Sequence, residues 1–414
     1  MRYFTSFCWL AAIGAAGVVH AQTFRTDINP ALTYYQAFNT APDLPRGDSD
    51  FLFTNEWRGQ KLPDRFGELV SRYDNEFRLM SQAAQSKAAC DWGVDFSAGP
   101  DTLLGHLARA KTAANVARLR AMWDLQHDRQ ADARKDLLNA LALGRQVSHD
   151  GCLISVLVQF AMERIVCETI AENYNHFTPE IFGELANGLS APPARGTIAN
   201  AIPMEKTFAR WFVDRTQELQ AGNPGNDARV MEGLRQIFEH AMTSGDSPDT
   251  NSSWAQVMAA SGGTSDGVIK LLRDMDPLYD RLQTVETLPL AQYEEQMPPL
   301  SAEIDNSTNP FVRELFPALQ KLRPREFSAM ADLAMTQAAV QYKLNGQAGF
   351  NSVANPIGQG PFAMQRFVFD NAGRGFELSA DYAGLGYPEV FIFIEKDGPP
   401  FLVFGKNAGK APAP

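Results

Sequence analysis

Cysteine is scarce in this chain, and positive charge is the minority sign. There are four cysteines in 414 residues, and Cys8 lies inside an apolar run at the N-terminus. The other three, Cys90, Cys152 and Cys167, are an odd number. At most one internal disulfide can form among them, so this is not a disulfide scaffold. Lys and Arg total 37 against 48 Asp and Glu, a net charge of −11. That deficit excludes the basic footprint of a nucleic-acid-binding protein. No second apolar run reaches the length of a transmembrane helix. There is no His-Glu-x-x-His run, no phosphate-binding glycine loop and no EF-hand loop, so no cofactor is implied.

What is present starts with the first residues. Arg2 is followed by an apolar stretch from Cys8 to Val19, too short to span a bilayer. Val19-His20-Ala21 then gives a small-x-small pattern before Gln22. This reads as a bacterial-type signal peptide over residues 1–21. It predicts an exported protein, periplasmic or extracellular, with no transmembrane segment after cleavage. Apolar residues make up 45% of the chain, enough for a large core that carries the fold without disulfides.

Helical periodicity dominates from Asn29 onward. Asn29-Pro30 is an N-cap followed by a first-turn proline. Phe66, Leu69, Val70, Tyr73, Phe77 and Met80 share one face of a helix expected over 63–89. Helices follow over 103–126, 131–147, 153–174 and 178–189, and short connections make neighbours antiparallel. The third of these carries Leu153, Ile154, Val156, Leu157, Val158 and Phe160, apolar nearly all round, which places it centrally. Leu119 to Arg145 resembles one loose tetratricopeptide unit, with Trp123, Ala133 and Ala140 at packing positions; no second copy follows at a fixed period. Further helices are expected over 204–220, 227–242, 267–283, 290–303 and 324–344, with a Ser/Gly-rich loop from Thr243 to Gly267. After Gly346 the period changes. Runs at 367–369 and 376–378, then 390–394 and 401–404, flank turns and predict two hairpins in one small antiparallel sheet. The fold class is thus α+β and mostly α: an antiparallel helical array with a small C-terminal sheet. Its regions are 22–190, 191–346 and 347–406, before a disordered tail at 407–414.

Cys90-Asp91-Trp92-Gly93, Leu103-Leu104-Gly105-His106-Leu107, the 133–145 helix before Leu153-Ile154, and the ending Gly360-Pro361-Phe362 with Gly375-Phe376-Glu377-Leu378-Ser379 belong together. They resemble a group of exported helical bacterial proteins with a short C-terminal sheet. The resemblance implies a fold and a compartment, and no activity.

Antiparallel helices return the chain to one end, where Cys90, Asp91, His106, His149, Asp150 and Cys152 are expected to gather. Three readings stand for the cysteines: separate thiols, a Cys90–Cys152 disulfide favoured by an oxidising compartment, or a metal site of Cys90, His106, His149 and Cys152. Gly263-Thr264-Ser265-Asp266-Gly267 matches the nucleophile-elbow pattern, but no strand precedes it. Helix capping is the simpler role, with Ser265 in a surface loop. Glu163 and Glu205, with His106, are the candidates for acid–base chemistry, against structural pairing of the carboxylates with Arg164, Arg210 or Arg215. The expected function is a non-enzymatic binding or structural protein of the cell envelope, its partner a protein or an envelope polymer. The alternative is a secreted hydrolase using carboxylates in an inter-helix cleft.

Overall fold

Asn29 opens the first helix as its sequence dictates: its Oδ1 accepts from the Ala31 N–H at 3.0 Å, and Pro30 takes the first helical position. The structure is a computed structural model that describes residues 27–191, 193–242, 250–358, 360–368, 373–380 and 389–396. The stretch 1–21 read as a signal peptide, the run at 401–404 and the tail at 407–414 lie outside the described residues.

The N-terminal helices are α1 (Pro30–Thr40), α2 (Arg46–Leu52), α3 (Asp64–Ser71), α4 (Asp74–Ala84), α5 (Gly105–Leu125), α6 (Gln130–Val147), α7 (Leu153–Glu172) and α8 (Pro179–Leu189). The chain continues through α9 (Ile198–Gly222), α10 (Asp227–Met242), α11 (Thr250–Ala260), α12 (Ser265–Arg273), α13 (Asp276–Glu286), α14 (Leu290–Asp305), α15 (Pro310–Leu319) and α16 (Leu322–Asn351). Strands β1 (Ala363–Val368), β2 (Arg374–Ala380) and β3 (Glu389–Lys396) form one antiparallel sheet in the order β1-β2-β3. The protein is therefore mostly helical with a small C-terminal sheet. Among the described residues no helix is long and apolar enough to cross a membrane.

Four departures from the sequence reading have physical causes. The helix expected over 63–89 is two, α3 and α4, broken at Arg72-Tyr73. The break leaves the apolar positions in phase, so periodicity alone does not reveal it. The helix expected over 267–283 is also two, because Pro277 opens α13 in its first turn. The segment 243–267, read as a loop, contains α11. The fourth is α15, unforeseen, although Asn309-Pro310 repeats the Asn29-Pro30 signature: Asn309 Oδ1 accepts from the Phe311 N–H at 3.0 Å.

α7 runs through the centre, touching α5, α6, α9, α16 and β3. It is not buried all round. Ile154 is 57% exposed, while Ser155, Gln159, Glu163 and Thr169 are buried. The sheet closes over α7 and α16. The Tyr174 ring meets Phe376 and Phe393 with centroids 5.5 and 5.6 Å away, and its hydroxyl donates to the Ala339 carbonyl at 2.8 Å. One continuous hydrophobic core joins residues of the 22–190, 191–346 and 347–406 regions.

Candidate functional site

Gln159 and Glu163 lie one turn apart on α7 and face the segment after α8. Gln159 Oε1 accepts from the Gly196 N–H at 2.8 Å. Arg195 grips Glu163 with two nitrogens: Nε lies 2.9 Å from Oε1 and Nη2 lies 2.8 Å from Oε2. Arg145 stands 3.6 Å from the same carboxylate and donates to the Leu189 carbonyl at 2.8 Å, closing the end of α8. Glu163 is thus the counter-charge of two arginines, buried Arg145 and half-buried Arg195, neither of them among the three the sequence offered.

Glu205, on α9, is different. Arg210 pairs with Asp276 and Arg215 with Glu218, so neither reaches it. It is half-buried, and burial pushes its carboxyl up to about 7. Cys152 and Tyr279 lie close enough for its charge to act on them.

His106 is buried and stacks on Trp92, with centroids 4.7 Å apart. Its Nε2 lies 3.6 Å from Asp150 Oδ2, which also accepts from Ser155 Oγ at 2.6 Å. The contacts run Ser–Asp–His, so the imidazole does not stand between hydroxyl and carboxylate as a nucleophilic triad requires. Cys90, His106, Asp150 and Cys152 do share this end of the bundle. His149 points to solvent.

Cys90, Cys152 and Cys167 are all buried free thiols, so the expected Cys90–Cys152 bond is not formed. Each of the two packs on a different helix start: Cys90 by the Ala31 N–H of α1, Cys152 by the Ile154 N–H of α7. Burial pushes Cys90 up to about 12 and Cys152 up to about 11. Among the described residues no group of three or more His, Cys, Asp or Glu is placed to hold a metal ion, so the Cys90, His106, His149 and Cys152 set does not assemble.

Ser265 is not a surface residue. It is buried in the first turn of α12 and gives its hydroxyl to Asp227, while Thr264 Oγ1 caps the helix by accepting from the Gly267 N–H at 3.1 Å. The capping role holds, and the elbow geometry is absent.

One set of charged groups that surrounds a cavity went unread in the sequence. A cleft of about 330 Å³ is lined by Gly67, Val70, Asp74, Arg120, Trp123, Asp124, Arg129 and Asp132. It lies where α3 and α4 meet the α5–α6 hairpin. Gly67 lets α3 approach so closely that a Cβ there would overlap the Trp123 ring. Arg120 spans two helices, with Nε 2.7 Å from Asp136 Oδ2 and Nη1 2.6 Å from Asp74 Oδ1. Arg129 puts Nε and Nη2 on Asp124 Oδ1 at 2.9 and 2.6 Å. Burial raises Asp124 despite Arg129, and pushes Asp136 up to about 6 despite Arg120. The available signal was the run of Asp and Arg at 120, 124, 129, 132 and 136, whose spacings place them about one hairpin turn.

No family model, no curated protein and no solved structure matches the chain.

Proposed function

We propose that this is an exported, non-catalytic binding protein of the cell envelope, and that the cleft between α3 and the α5–α6 hairpin holds an envelope polymer. One observation supports this reading above others: two of the carboxylates lining the cleft are already paired with cations, Asp74 with Arg120 and Asp124 with Arg129. Hydrolysis by a carboxylate pair needs one acid and one base free to exchange protons with the substrate. Arg–Asp forks held in place instead offer fixed donors and acceptors to hydroxyl and amide groups.

The test is sedimentation of residues 22–414 with isolated peptidoglycan sacculi. The protein is expected in the pellet, and Arg129→Ala, at the mouth of the cleft, is expected to shift most of it to the supernatant. Wild-type protein that stays in solution, or an Arg129→Ala variant that pellets equally, overturns the reading. Glu205 favours the second reading, a secreted hydrolase, since a carboxyl that burial pushes up to about 7 suits acid–base work at neutral pH. Soluble fragments released from the sacculi by the wild type but not by Glu205→Gln would put the hydrolase in its place.

A further inference from the structure

α13 ends in a carboxylate with nowhere to place its charge. Glu286 is 0% exposed, and neither of its oxygens has a hydrogen-bond partner. Arg323 acts on it, but two of its three nitrogens are committed elsewhere: Nη1 donates to Glu326 Oε2 at 2.6 Å and Nη2 to the Leu288 carbonyl at 2.9 Å. Arg323 Nε is buried without a partner, and the guanidinium carbon lies 4.5 Å from the Phe327 ring centre. Glu326 also accepts from the Ile198 N–H at 3.2 Å, so the cluster ties α13 and α16 to the start of α9. The other charged groups that face α13 sit nearer its N-terminus. Lys206 and Arg210 of α9 meet Asp276 and Asp280, Glu205 acts on Tyr279, and Glu303 of α14 meets Arg281.

We propose that Glu286 is the neutral acid in the folded chain and works as an alkaline release: once its proton leaves to solvent, two carboxylates compete for one guanidinium, and the end of α13 parts from α16. This stands independently of what the cleft binds. A buried carboxylate with no hydrogen bond is the costly form, whereas the neutral acid is tolerated. Consistent with that geometry, burial pushes Glu286 up to about 8, with Arg323 opposing and Glu326 adding to the rise. The folded form then holds one more proton than the opened form between the ordinary carboxylate value and about 8. Opening becomes easier across that window by up to about tenfold per pH unit, and is level above it.

Amide hydrogen exchange on residues 22–414, corrected for the intrinsic pH dependence of exchange, reads this directly. Protection at Val285–Leu288 is expected to fall by up to about tenfold per pH unit from pH ~6 to ~8. Glu286→Gln, the shape of the neutral acid, is expected to remove that slope. An unchanged slope in Glu286→Gln, or pH-independent protection in the wild type, overturns the proposal. A Glu286→Gln chain that fails to fold also overturns it, since that result makes the ionised carboxylate the form the fold requires.

Discussion

Glu163 and Glu205 lie on adjacent helices, yet their surroundings assign them opposite characters. Glu163 has two guanidiniums against it and is itself 1% exposed. Glu163→Gln therefore leaves Arg195 and Arg145 without a counter-charge and is expected to cost about 3–5 kcal/mol, measured by urea denaturation. A catalytic Glu163 would give the reverse result, with stability kept and activity lost. The partnership of Gln159 with Glu163 was legible, because residues four apart on a helix share a face. The partner Arg195 was not, because it stands 32 residues away, beyond a proline-rich connection that sequence spacing does not locate. Asp124 and Asp136 escaped notice for a related reason. They sit on different helices, α5 and α6, so no single-helix spacing joins them, and only the docking of α3 through Gly67 turns the hairpin surface beside Asp124 into a cleft.

Helices were legible wherever an amphipathic stripe and an end signal coincided. α1, α6, α8 and α10 match their expected positions to within a residue or two, each with a cap, a proline or a clear loop beside it. α7 was legible in extent but not in orientation. Apolar residues all round give no preferred face, and satisfaction of Ser155, Gln159 and Glu163 selects the buried side. Ile154 is left outside as the result. Helix starts also set the fate of the cysteines. With Cys90 packed on α1 and Cys152 on α7, thiol titration of residues 22–414 without reductant is expected to count three thiols in denaturant and almost none in the native state. A count of one would mean a disulfide.

Buried acids set the behaviour of the whole molecule with pH. Burial raises Asp136 to about 6, Glu76 and Glu205 to about 7, and Glu286 and Asp332 to about 8. Each binds its proton more tightly folded than unfolded. Their contribution to stability is thus complete below the unfolded carboxylate values near 4 and is lost as pH rises through 6 to 8. Carboxylates shifted the other way, Asp95, Glu180, Glu232 and Glu303, are exposed, where solvent screening leaves them little influence. Thermal melting is expected at least about 5 °C higher at pH 5 than at pH 8.5, and an equal or reversed order would contradict this assignment of charge. The Tyr174 contact has a different consequence, in the order of events. Its hydroxyl is satisfied by a carbonyl 165 residues downstream, and its ring is covered by Phe376 and Phe393, later still. A chain emerging N-terminus first must therefore hold the aromatic surface around Tyr174, between α7 and α8, uncovered until β3 is made. Truncation before β3 would remove eight residues of sheet and also leave the centre of the helical array as a sticky, unclosed surface.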